Sequence, residues 1–346
     1  MKNFRFFIIY FCLVGIFWSC SSEETSLRDG CLPQVEAEKL PKITLDIERL
    51  EQTLFGLQSK EEIKAFLDEQ KFLSERFFER DRYPNDSLLI NMLYDLVKAA
   101  PNQALYQDVQ KKFSNLGAIR SDLQAAFQQI KYYYPDFKIP RIYTMISGFG
   151  GAPISKEPDL FIRDGIIVIG LEFFMGSDYR YQPPYPAYIA RRYKPEAIVP
   201  FIVQTASLRF NEYNTQDQSA LAEMIFYGKS LYFMQKVVPC LPDSAVLGYT
   251  PEQIEAIEEN KEYIWTHYID KNILYQTSHL IKKDYLDESP FCIPLGQEWC
   301  PGAIGRWTGL RIVKKYMQKH PEKTIQELMR MQDSQEILQA SKYRGE

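Results

Sequence analysis

Catalytic chemistry in this 346-residue chain has few imidazoles to draw on, since His267, His279 and His320 are its only histidines. A zinc peptidase of the HExxH kind needs two imidazoles at i and i+4 on one helix face, with a glutamate beside the first, so that the ion and its water are held together. His267 is followed by Tyr268-Ile269-Asp270-Lys271, His279 by Leu280-Ile281-Lys282-Lys283, and His320 by Pro321, so none opens that motif. No GxSxG, P-loop or GxGxxG occurs, and Gly148-Phe149-Gly150-Gly151 opens no helical pattern and reads as a turn. No metal and no cofactor is therefore expected.

What the chain does offer is a carboxylate beside a phenol. In Leu221-Ala222-Glu223-Met224-Ile225-Phe226-Tyr227-Gly228-Lys229-Ser230-Leu231-Tyr232, Glu223 and Tyr227 stand four apart and share a helical face. Leu221, Met224, Ile225, Gly228 and Tyr232 form the other face. Gly228 inside a helix costs about 1 kcal/mol relative to Ala, so it implies close approach by another backbone. A second stretch, Cys300-Pro301-Gly302-Ala303-Ile304-Gly305-Arg306-Trp307-Thr308-Gly309-Leu310-Arg311, repeats the glycine logic and puts Trp307 and Arg311 four apart. Two readings stay open for both stretches. One is ordinary helix packing with aromatic core; the other is a groove lined by Glu223, Tyr227, Trp307 and Arg311.

The elements that must position these groups follow from periodicity. Ile43-Thr44-Leu45-Asp46-Ile47 alternates as a strand does, and residues 63–134 are helical in pattern with breaks at Pro84, Pro101 and Gly117. Residues 139–146 and 165–169 are β-branched and aromatic, which predicts the centre of a small sheet. Helices are expected over 195–210, 218–237, 251–268, 304–319 and 322–328, with Thr250-Pro251-Glu252-Gln253 as a capped start. Helices, a few strands, then helices again predict one mostly helical α+β domain. Aromatics make up 14% of the chain, so its core must be largely aromatic. A net charge of −4 with no basic cluster argues against nucleic acid as a partner.

The first twenty residues are an address. Lys2 and Arg5 precede an apolar run from Phe6 to Trp18, too short for a comfortable membrane span, and Phe17-Trp18-Ser19-Cys20 resembles a lipobox. Residues 1–19 then read as a lipoprotein signal peptide, Cys20 as the lipidated residue and 20–41 as a tether, leaving 42–346 as the domain. Lipid on Cys20 would anchor the chain to a membrane without spanning it. Export would permit disulfides among Cys31, Cys240, Cys292 and Cys300. The short loop between Cys292 and Cys300 makes that pair the favoured one.

Several motifs recur together: the lipobox, the 222–232 stretch quoted above, Leu247-Gly248-Tyr249-Thr250, Pro301-Gly302-Ala303-Ile304-Gly305-Arg306-Trp307-Thr308-Gly309 and Ile337-Leu338-Gln339-Ala340-Ser341-Lys342-Tyr343. In this order they resemble the gliding-motility lipoprotein family of the GldB type, over nearly the whole mature chain. The resemblance implies a cell-envelope protein, lipid-anchored and of the outer membrane, serving gliding driven by machinery associated with type IX secretion. That family in turn looks similar to predicted zinc peptidases with HExxH and a Glu-Gly third ligand. Gln204-Thr205-Ala206-Ser207-Leu208 would then stand in place of HExxH and Tyr227-Gly228 in place of Glu-Gly, which implies a degenerate, metal-free zincin-like domain.

The leading expectation is thus a non-catalytic envelope lipoprotein acting through protein contacts with the gliding and secretion machinery. One alternative is an envelope hydrolase or peptidase that uses a remodelled, metal-free cleft with Glu223 or Asp217 as general base. Another is a surface glycan- or peptide-binding lipoprotein using Tyr179, Tyr181, Tyr185 and Tyr188.

Overall fold

The computed structural model describes residue 32 and residues 35–151, 157–163, 165–296 and 299–346. The apolar leader, Cys20 and Cys31 lie outside the described residues. Strand β1 (Ile47–Arg49) runs straight into helix α1 (Leu50–Gly56), followed by α2 (Lys60–Glu69), α3 (Lys71–Arg76), α4 (Asp86–Lys98), α5 (Ala100–Lys112) and α6 (Gly117–Tyr133). The expected strand at 43–47 starts late because the Asp46 carboxylate accepts from its neighbour Ile47 N at 2.9 Å, a local bond that competes with pairing. Pro101 falls in the first turn of α5 and Gly117 opens α6, so both predicted breaks are helix starts.

Three further strands complete the sheet: β2 (Arg141–Met145), β3 (Leu160–Arg163) and β4 (Ile166–Gly170). Their order is β1-β2-β4-β3, with β1, β2 and β4 parallel and β3 antiparallel against β4. All five positions of β4 are buried, which is why its Ile166-Ile167-Val168-Ile169 run shows no alternation. The architecture is α+β, with β2, β3 and β4 near the midpoint of the chain as the sequence pattern predicts and β1 far upstream of them.

The second helical half comprises α7 (Ala187–Ala190), α8 (Ile198–Ser207), α9 (Ala220–Val237), α10 (Asp243–Leu247), α11 (Pro251–Glu259), α12 (Lys261–Asp270), α13 (His279–Leu286), α14 (Ile304–Lys319), α15 (Ile325–Arg330) and α16 (Ser334–Ser341). Thr250 and Gln253 form the predicted capping box on α11. The single helix expected over 251–268 is two, because the Asn260 side chain bonds Ala256 O at 2.8 Å and turns the chain. Helix α9 is the hub, touching α6, α8, α13, α14, α15 and α16, and its most extensive contact is with α14. It is buried nearly all round, including Lys229, Ser230 and Gln235, rather than on one stripe.

Two expectations about the ends and cysteines change. Leu32 is buried and Gln128 Nε2 donates to Pro41 O at 3.0 Å, so the body reaches into the stretch expected to be tether. Cys240 is disulfide-bonded, whereas Cys292 and Cys300 are free thiols, not the expected pair. The two are adjacent, with Cys292 N donating to Cys300 O at 2.8 Å. Their sulfurs also meet backbone carbonyls, of Asp284 at 3.4 Å and Pro301 at 3.8 Å. A hydrogen bond with Cys292, then burial, push the Cys300 thiol far above its ordinary range.

Candidate functional site

The quoted motifs converge where α9 crosses α14. A Cβ added at Gly228 would strike the Gly309 carbonyl, and one added at Gly309 would strike the Met224 carbonyl, so the two helices touch backbone to backbone. Tyr249 of the 247–250 motif donates its hydroxyl to Gly302 O at 2.8 Å, which ties the start of α14 to α11's cap. This crossing presents two different chemistries on its two sides.

On one side lies a half-buried charge network. Arg192 grips the Glu288 carboxylate with two bonds of 2.9 Å, and Arg306 adds a third at 2.6 Å. Burial alone would raise the Glu288 carboxyl, but the bonds and charges of Arg192 and Arg306 outweigh it and hold the group below its ordinary value. The Arg306 guanidinium also lies over the Tyr227 ring, 4.5 Å from its centroid. These arginines and Glu288 wall a hollow of about 60 Å3 together with Gln204 and Tyr249. Of the 204–208 segment, Gln204 faces this hollow. Thr205 is exposed and bonds Phe201 O at 3.1 Å, and Leu208 is exposed.

On the other side is an open cavity of about 340 Å3, lined by Glu223, Tyr227, Asp217, Tyr213, Phe226 and Lys229 among others. Tyr213, Phe226 and Tyr227 make a chain of edge-on ring contacts at 5.1 and 5.7 Å. Glu223 is bridged by Lys282, whose ammonium also donates to Gln218 O at 2.7 Å. Burial would raise Asp217, but bonds from Ser219 and Ser334 hold its carboxyl below the ordinary value. Lys229 is buried in the cavity wall and donates to three carbonyls, of Glu212, Met331 and Met329, at 2.6, 2.7 and 3.2 Å. Burial lowers its amine to about 8, against the pull of Glu212.

The structure does not bring the four expected groove residues together. Glu223 and Tyr227 share the open cavity, but Trp307 is fully buried core and does not line it. Arg311 pairs instead with Glu258 on α11 at 3.3 Å and approaches the Trp307 ring at 6.0 Å. The reason is that i, i+4 spacing puts two residues on one side of a helix without saying whether that side meets core or water. The tyrosine run is also dispersed: Tyr179 bonds Asp108, Tyr185 stacks on Tyr193, Tyr188 bonds Glu288 O, and Tyr181 is half exposed.

Sequence reasoning missed Lys229 and the Arg192–Glu288–Arg306 network. A lysine inside a helix that is apolar all round was the available signal for the first. Among the described residues no three His, Cys, Asp or Glu side chains gather to hold a metal. Neither a curated protein nor a solved structure matches the chain. Its sequence does match a family model, that of the gliding motility protein GldB, across residues 32–345. With nearly the whole chain matched, this protein belongs to the GldB gliding motility family.

Proposed function

We propose that this chain is a lipid-anchored, non-catalytic component of the cell envelope that serves the gliding and type IX secretion machinery through protein contacts. The observation that carries this reading is what occupies the α9–α14 crossing. Where the resemblance to zinc peptidases would set a metal ligand, Tyr227 lies under Arg306, and Arg306 is clamped by Glu288. A hollow of about 60 Å3 beside them holds a few waters at most, not a peptide. In the same proposal the domain is a zincin-like fold whose reaction centre has been filled by its own charges, anchored by lipid on Cys20 to the outer membrane.

The docking surface in this reading is the open cavity with Tyr213, Phe226 and Tyr227. Aromatic side chains beside charged groups are the composition of binding hot spots, where truncation can cost 2 kcal/mol or more. A second reading, a metal-free hydrolase, is favoured by Asp217 and Glu223 lining one cavity. Against it, Lys282 already occupies the Glu223 carboxylate, and bonds from Ser219 and Ser334 hold Asp217 below its ordinary value.

A photo-crosslinking residue in place of exposed Tyr213, in a gliding host, tests the proposal. The expected result is one discrete envelope-protein adduct, lost together with gliding when Phe226→Ala is added to a chain that still reaches the membrane. Unaffected motility with the cavity residues truncated would overturn it, as would peptidase activity of the purified chain that depends on Asp217 or Glu223. The anchor is judged separately: Cys20→Ala should abolish palmitate labelling and release the protein from the membrane fraction.

A further inference from the structure

The exposed large apolar side chains of this protein are concentrated. Of twelve such residues among those described, seven fall between positions 263 and 293, a small part of the chain. Single exposed apolar residues need no explanation, but a cluster does. The elements that carry them are tied together. His267 Nε2 on α12 meets the Tyr285 hydroxyl on α13 at 2.8 Å, Cys292 Sγ meets Asp284 O on α13 at 3.4 Å, and the rings of Tyr263 and Trp299 touch edge-on at 6.3 Å. Leu280 and Ile281 on α13 therefore share a region with Phe291 and Ile293 on the following loop, flanked by Tyr263. Leu280 and Ile293 are each 74% exposed, so they stand clear of the surface rather than line a hollow.

We propose that this region seats the protein on a lipid bilayer. Leu280, Ile281, Phe291 and Ile293 enter the acyl boundary, while Tyr263 and Trp299 lie at headgroup level, where amphipathic rings are favoured. The proposal rests on the reading that Cys20 is lipidated. A fluid acyl layer accepts protruding aliphatic side chains without a shaped pocket, which is the form these residues present. The tether also reaches. Leu32 lies beside Met317 and Gln318 near the end of α14, whereas the seating region borders its start. The 16 residues of α14 span about 24 Å, and the stretch from Cys20 to Leu32 reaches roughly 40 Å when extended. One bilayer can thus hold the anchor and meet the face. Tethering supplies a high local concentration of lipid, so weak intrinsic affinity is enough. Lys271 and Lys283 are balanced by Asp270, Asp284 and Asp287, so the contact is apolar rather than electrostatic.

The test is flotation of the exported chain carrying Cys20→Ala with vesicles of phosphatidylethanolamine and phosphatidylglycerol, and with vesicles of phosphatidylcholine alone. Partial flotation is expected with both and should persist at high salt. The Leu280→Glu/Ile293→Glu double variant, at exposed positions and hence with an unchanged melting temperature, should bind roughly tenfold less. Leu208→Glu, an equally apolar-to-acidic change at a 52% exposed site elsewhere, should bind as the parent does. Failure of the parent to float, or flotation of the double variant as well as the parent, overturns the proposal. So does a dimer in gel filtration that the double variant abolishes, because a second copy would then cover this face. Palmitate labelling of the unaltered chain reports on the anchor alone, so the two ideas fail separately.

Discussion

Arg306 and Tyr227 face each other across the α9–α14 crossing, guanidinium over ring at 4.5 Å, and the same guanidinium holds Glu288. One cation therefore satisfies an aromatic face and a half-buried carboxylate. Arg306→Ala should lower stability by about 2 kcal/mol, since it removes a cation–π contact and half of the neutralisation of Glu288. Tyr227→Phe, which keeps the ring, should be nearly neutral. Thermal melts of the two variants check this, and equal losses would mean that the ring contact is not what Arg306 contributes.

Trp307 belongs to the core, with no exposed surface, although its indole Nε1 has no hydrogen-bond partner. Trp307→Ala is expected to cost about 3–5 kcal/mol. Trp307→Phe should cost much less, because it abandons an unbonded N–H along with some volume. Denaturant midpoints that rank these two variants alike would place Trp307 outside the core.

Glu172 gives a pH dependence. Its Oε1 accepts from Ser147 N, Ser147 Oγ and Phe149 N at 2.6, 2.7 and 3.3 Å, while its buried Oε2 has no partner. Burial, outweighing those bonds, pushes the carboxyl up to about 7 from 4.5. Between these values the folded chain keeps a proton that the unfolded chain has lost, so this contribution is full below about pH 4.5 and disappears as pH rises through 7. The slope it adds is at most about 1.4 kcal/mol per pH unit. Glu172→Gln should flatten that part of the stability curve between pH 5 and 8; an unchanged slope would rule out Glu172 as its source.

Lys229 fills a polar hole in an apolar helix, matching its ammonium to three carbonyls. Lys229→Met keeps the length but strands those acceptors, and should cost about 3 kcal/mol. With the amine lowered to about 8, folding also gains stability as pH climbs from 8 towards 10.5, an increment absent from Lys229→Met. Urea titrations of both chains at pH 7.5 and 9.5 would show the difference.

The unjoined state of Cys292 and Cys300 predicts their reactivity. Unfolding without reductant should make the Cys292 and Cys300 thiols reactive, while the native chain should react slowly at both, since each is buried. Mass spectrometry after alkylation should find both residues modified; a Cys292–Cys300 linked peptide would contradict the geometry.

Much of the frame was legible because its signals are local. Residues 304–319 became α14 as the pattern predicted, Thr250 capped α11, and Gly228 announced a close backbone contact. Helix α13 was not foreseen, since Leu280 and Ile281 point to water and leave no apolar stripe to read. The site was less legible for a different reason. Arg192, Glu288 and Arg306 come from three distant segments, and spacing carries no information about groups that only the fold brings together. For Trp307 both core and groove stayed open in the sequence, because periodicity fixes which residues share a side, not what that side faces.

The contact of Gly228 with Gly309 bears on how the chain is made. Helix α9 has its main partner far downstream, so a polypeptide emerging from its N-terminus can cover α9 only in part, with α6 and α8, until α14 arrives near the end. Folding of the second half must wait for that late closure, as non-local contacts make it slow. During export the apolar surface of α9 is open to aggregation for the length of that delay. A chain ending at residue 303 should accordingly be insoluble, whereas one lacking only the last few residues should fold. The small side chains that let these two helices meet thus also set the moment in biogenesis when the protein is most vulnerable.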